Sequence, residues 1–114
     1  MEDGFADNSV RNATDQFVEA IKESEIYKEY HIQKEKIKRH PELFERVGEF
    51  RQRNYELQTS ARGDDLLEKL DAFEREYEEF RANPLVDDFL RAELAFCRMM
   101  QRVNVRITAG LDFE

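Results

Sequence analysis

Two X-Pro pairs, His40-Pro41 and Asn83-Pro84, hold both prolines of the 114-residue chain and lie 43 residues apart. Tyr27, Tyr30 and Ile37 precede the first at the distances by which Leu70, Phe73 and Phe80 precede the second. Proline lacks a backbone N–H and fixes φ near the helical value, so it suits the first turn of a helix and disfavours helix in the residue before it. Each pair therefore predicts a sharp corner between two helices, and the chain makes the same move twice.

The apolar spacing around the corners is helical. A first helix is predicted from between Ser9 and Thr14 to about Arg39, with Phe17, Ala20, Ile21, Ser24, Tyr27, Tyr30 and Ile37 on a drifting face. Lys36, Lys38 and Arg39 in its last turn complement the helix dipole. A second helix, Pro41 to about Gln58, carries the narrow seam Leu43, Val47, Phe50 and Leu57. The run "TSARGDD" at 59–65 signals a turn, because Gly63 tolerates a positive φ and Asp64 or Asp65 can cap a helix, with Glu68 closing a reciprocal cap. A third helix follows with Leu66, Leu70, Phe73, Tyr77 and Phe80. Asn83 caps and Pro84 opens a fourth, running to about Ala109 and about 39 Å long at 1.5 Å per residue.

The fourth helix carries two adjacent stripes: Leu85, Phe89, Ala92, Phe96, Met99 and Val103, and Val86, Leu90, Cys97, Met100 and Ile107. So wide an apolar face predicts packing against more than one neighbour. The expected fold is all-α, with long antiparallel helices forming two α-hairpins in a four-helix arrangement. It comprises a flexible segment at 1–8 and one helical domain at 9–114. A homo-oligomer, with a dimer favoured, covers the surplus face through Leu85, Phe89, Phe96, Met99, Met100, Val103 and Ile107.

Composition narrows the function. A net charge of −8 opposes general attraction to nucleic acid or anionic lipid. No apolar run approaches the roughly 20 residues of a membrane span, and the acidic start "MEDGFADNSV" lacks signal-peptide features, so a cytoplasmic protein without membrane insertion is expected. The lone Cys97 precludes an internal disulfide and agrees with a reducing compartment.

Catalytic patterns are absent. A di-iron bundle needs two Glu-x-x-His motifs, whereas Lys28 and Ile37 stand three residues before His31 and His40. One cysteine and two histidines lack zinc spacing, and the four glycines are too scattered for a phosphate loop. Cys97, between Phe96 and Met99, reads as a small buried filler; the alternative is a thiol-dependent redox sensor or small enzyme. The run "QKEKIKRH" at 33–40 offers Lys34, Lys36, Lys38 and Arg39 as an RNA contact, but no aromatic platform interleaves them and nucleic acid is disfavoured.

The order "IKESEIYKEY", "HPELFERVGEF", glycine turn, "NPLVDDFLRAE", "VNVRITAGLDF" resembles the YlbF/YmcA family of bacterial regulators, which includes YheA-like members. The resemblance spans about Asn12 to Phe113, and Ser24, Tyr27, Tyr30, Asn83, Pro84, Leu85 and Val86 carry it most specifically. It implies a helical, oligomeric protein without enzymatic activity. Its relatives control competence, sporulation and biofilm formation, and act in a complex that adjusts RNA processing by a membrane-anchored endoribonuclease. That complex is associated with iron–sulfur clusters, and some relatives carry further cysteines in a C-terminal tail; with Cys97 alone, no cofactor is expected here. The function expected is that of a non-catalytic regulatory adaptor, with family paralogues or an endoribonuclease complex as partners.

Overall fold

The computed structural model describes residues 4–60 and 63–113, and every regular element among them is a helix. The elements are α1 (Asn8–Glu23), α2 (Glu25–Lys38), α3 (Pro41–Ser60), α4 (Gly63–Glu76), α5 (Glu78–Ala82) and α6 (Pro84–Gly110). The all-α class is as the sequence indicates. Both proline corners are present, with Pro41 and Pro84 opening α3 and α6. At the second corner the Asn83 side chain accepts the Leu85 N–H at 3.0 Å.

The four expected helices are six elements because two of them are interrupted. Ser24 has extended backbone, with ψ 146°, and ends α1 while capping α2. Its hydroxyl donates to the Ile21 carbonyl at 2.6 Å and accepts the Tyr27 N–H at 3.1 Å. One short side chain thus satisfies groups on both sides of the break, the local competition with helix that serine offers. Tyr77, at φ −103° and ψ 11°, separates α4 from α5. Hydrogen bonds from the Tyr77 N–H to Phe73 and from the Arg81 N–H to the Tyr77 carbonyl persist across it, so this is a bend and not a corner.

The termini also differ in detail. Asp7 caps α1 by accepting the Ser9 N–H at 2.8 Å, and that backbone bond holds the Asp7 carboxyl below its ordinary pKa. Residues 1–3 of the segment expected to be flexible lie outside the described residues, as do Ala61 and Arg62 of the glycine turn. Gly63 has φ +58° and is already the first residue of α4. Asp64 and Asp65 sit in the first turn, where they complement the helix dipole, and the cap position before Gly63 lies outside the described residues.

α2 packs chiefly against α6, α3 against α2 and α4, and α5 against α6. Tyr27 meets Phe96 while Tyr30, further along α2, meets Phe89, so α2 and α6 run antiparallel. The core gathers Ile37, Val47, Phe73, Tyr77, Phe80, Val86 and Phe89 near the two proline corners, with Tyr30, Leu43, Phe50, Leu57 and Leu90 against it. Phe50 stacks on Phe73 at 5.2 Å and meets the edge of Tyr77 at 5.1 Å, an arrangement that adds to simple area burial. Arg53 clamps the same region from α3 by a forked pair with Glu76, while Arg51 of α3 pairs with Glu93 of α6.

The opposite end of the molecule is open. α1 contains no buried residue, and the buried residues of α6 are Val86, Phe89 and Ala92, all in its first third. The radius of gyration is 18.5 Å, against about 13 Å for a compact domain of this length. The accessible surface is 9197 Å², whereas a compact monomer of this mass exposes about 6,600 Å².

Candidate interaction surface

α1 supplies one side of the open end. Val10, Ala13, Phe17 and Ile21 recur at three- and four-residue steps and define one apolar stripe. Phe17 is nevertheless 40% exposed, and Val10 and Val18 are exposed beside it. These residues were absent from the sequence-derived interface. The periodicity of α1 was visible, but treating α1 and α2 as one helix gave its stripe the same cover as Tyr27 and Tyr30.

α6 supplies the other side, and the structure divides its expected interface residues into two groups. Phe89 is 1% exposed and lies in the chain's own core, where Tyr30 and Phe44 flank its ring. It is therefore no surface residue, which corrects its assignment to the interface: the antiparallel packing of α2 covers it within the single chain. Leu85 is half-buried near the same end. Phe96 is half-buried, stacked on Tyr30 at 5.1 Å and edge-on to Tyr27 at 5.5 Å. Met99, Met100 and Val103 are half-buried, and Ile107 is 48% exposed. Met99, Met100, Val103 and Ile107 thus lie beyond the buried first third of α6, with Ile107 the most exposed of them.

Cys97 is exposed, contrary to the buried filler expected. Neighbours on a helix point about 100° apart, so its place between Phe96 and Met99 in sequence sets it at the seam's margin and not within it. No three His, Cys, Asp or Glu side chains among the described residues converge as metal ligands. An iron–sulfur cluster is generally held by four thiolate or imidazole ligands, and one exposed thiol does not fit that donor set within a single chain.

The basic end of α2 is partly engaged internally. The Lys34 ammonium lies 5.7 Å from the Tyr30 ring centre, and Lys38 pairs with Glu35 at 3.7 Å. Lys36 and Arg39 are exposed at the end of α2, where their charge meets the helix dipole. His31 stacks on Tyr27 at 6.1 Å and His40 stands 4.0 Å from Glu42.

The surface hollows are open and lined largely by charged side chains. The hollow beside α4 and α5 is lined by Asp71, Glu74, Arg75, Glu78, Arg81, Ala82 and Asp87, with no hydroxyl, thiol or imidazole among them. Among the described residues no helix is long and apolar enough to cross a membrane.

This geometry defines an all-helical protein with a closed core at one end and uncovered helix faces at the other. The chain belongs to the family described as control of competence regulator ComK, YlbF/YmcA, whose pattern it matches over residues 10–112. It is also similar to the UPF0342 protein of Caldicellulosiruptor bescii, at 24% identity over 97 residues that cover 83% of this chain and 82% of that protein. No solved structure matches it. Membership in this family supports a regulatory role.

Proposed function

We propose that the protein is a non-catalytic regulatory adaptor that pairs with a second copy of itself at the open end and presents helix surfaces to another regulatory protein. The observation that carries this reading is the surplus of exposed surface. The chain's 9197 Å² exceeds the compact-monomer value by about 2,600 Å². Obligate homodimers bury about 2,000–5,000 Å² in total, so a dimer contact could draw its area from that surplus. The stripe of α1 and the Met99–Ile107 side of α6 supply its apolar residues, and twofold closure is the commonest way to hide such a face.

The family description supports action on competence control. Its resemblance to regulators of sporulation, biofilm formation and RNA processing further suggests an endoribonuclease complex or a family paralogue as the second partner. Contact between proteins, and not chemistry on a substrate, is then the mechanism. Sedimentation at micromolar concentrations tests the self-pairing: a dimer or larger species is expected, and a 13.7 kDa particle throughout refutes it. Capture from native extract tests the adaptor role, for which an endoribonuclease or paralogous regulator is the expected partner; recovery of neither counts against it.

A further inference from the structure

The chain carries 26 acidic and 18 basic residues, yet the eighteen residues from Leu94 to Leu111 contain Arg98, Arg102 and Arg106 and no acid. The other described arginines are mostly occupied. Arg51, Arg53, Arg75 and Arg91 pair with Glu93, Glu76, Asp71 and Asp87, while Arg46 and Arg81 lie over the Phe80 and Phe50 rings. Among the described residues Arg98, Arg102 and Arg106 have neither an acidic partner nor a ring beneath them. Complementing the helix dipole does not account for them, because the last turn of α6 has no basic residue and the dipole's effect fades beyond that turn.

Their spacing forms a surface of definite shape. Arg98, Arg102 and Arg106 make one ridge at four-residue steps, and Gln101, Val105 and Ala109 make the ridge beside it. Together they line an open groove of about 680 Å³, in which Val105 is 66% exposed. Grooves between such rows receive the side-chain ridge of another helix. The arginine row lies roughly a third of a turn around α6 from the Met99–Ile107 side, leaving both surfaces available together.

We propose that this groove docks an acidic amphipathic helix of a partner protein, whose carboxylates at i, i+4 and i+8 meet Arg98, Arg102 and Arg106 around an apolar residue seated on Val105. Charge selects the class of partner, because guanidinium groups take carboxylates in forked hydrogen bonds. An RNA strand fits less well: no aromatic side chain lines the groove for base stacking, and the chain as a whole is acidic. The assignment rests on the adaptor reading and specifies the chemistry of the second partner.

The test uses the full chain and three probes: a helical peptide with glutamates at i, i+4 and i+8 around a leucine, the same peptide with the central glutamate replaced by lysine, and oligouridylate. Fluorescence anisotropy should show binding of the acidic peptide, weakened at least about tenfold by R102E and regained with the lysine peptide on R102E. Binding of oligouridylate without the acidic peptide, with R102E weakening it, overturns the proposal in favour of nucleic acid. Binding of neither probe overturns it too, leaving a solvated face. Sedimentation of R102E must give the wild-type oligomeric state; a changed state assigns the arginine row to self-contact and overturns the proposal. A monomeric wild type that binds the acidic peptide would sink the self-pairing alone.

Discussion

Phe17→Ala is the sharpest probe of the open end. Phe17 is 40% exposed in the single chain, and a phenylalanine buries about 200 Å², so about 80 Å² of its surface remains for a partner to cover. At about 25 cal/mol per Å² that contact contributes about 2 kcal/mol. A twofold dimer contains the contact twice and loses about 4 kcal/mol, a rise in Kd of roughly a thousandfold. The same exposure leaves about 120 Å² of Phe17 covered within its own chain, so the variant also loses some single-chain stability, partly offset because alanine is the better helix former. Sedimentation equilibrium of both proteins across micromolar concentrations, with circular dichroism to verify helix content, measures the effect. An unchanged Kd for the variant would remove α1 from the interface. A fall in helicity to match the lost association would mean that Phe17 supports the chain's own fold instead.

Three further substitutions test the local physics. Gly48→Ala should raise stability by about 1 kcal/mol in urea titration, because a Cβ there meets nothing within 4 Å and a helix-interior glycine carries an entropic penalty. Asp112→Gly should give about 1 kcal/mol as well: Asp112 has φ +52° at the end of α6, where the Phe113 and Asp112 N–H groups bond back to Thr108 and Ala109 in the closing turn that favours glycine. Glu76→Gln should lower Tm at neutral pH, since the hydrogen bonds from Arg53 hold the Glu76 carboxyl below its ordinary pKa of 4.5. A depressed folded pKa contributes stability above the unfolded value that is lost as pH falls through the folded one, so the wild-type advantage should persist at neutral pH and vanish as acidification proceeds below 4.5.

The closed end was legible in the sequence because several signals agreed there. Proline at the first helical position, asparagine as a cap and matching seams all required two corners, and Ile37, Val47, Phe80 and Val86 meet around them. The break at Ser24 was not legible from period alone. Ile21, Ser24, Tyr27 and Tyr30 continue in helical phase across it, and only the side chain's ability to bond Ile21 and Tyr27 at once distinguishes a cap from a face position. Cys97 was misplaced for a similar reason, since a residue between two seam positions in sequence can stand at the seam's edge in space. The arginine row is an acid-free segment in the sequence, but its charges are spaced four apart and stand out less than the denser lysine run at 33–40.

The break at Ser24 also shows how a core and the proposed interaction surface can coexist in so short a chain. In an uninterrupted first helix, Phe17 would follow the axis that sets Tyr27 and Tyr30 against Phe96, extending that internal packing along α6. Because Ser24 caps both helices, α1 is freed from that axis while the Ile21 carbonyl and the Tyr27 N–H at the break keep hydrogen-bond partners. The consequence is an apolar stripe displayed at low cost to the core, and a second helix, α6, that is packed internally as far as Phe96 and carries the exposed apolar residues Val105 and Ile107 in its last turns. The proposed adaptor role requires this separation: the residues that stabilise the chain must differ from those that would recognise a partner.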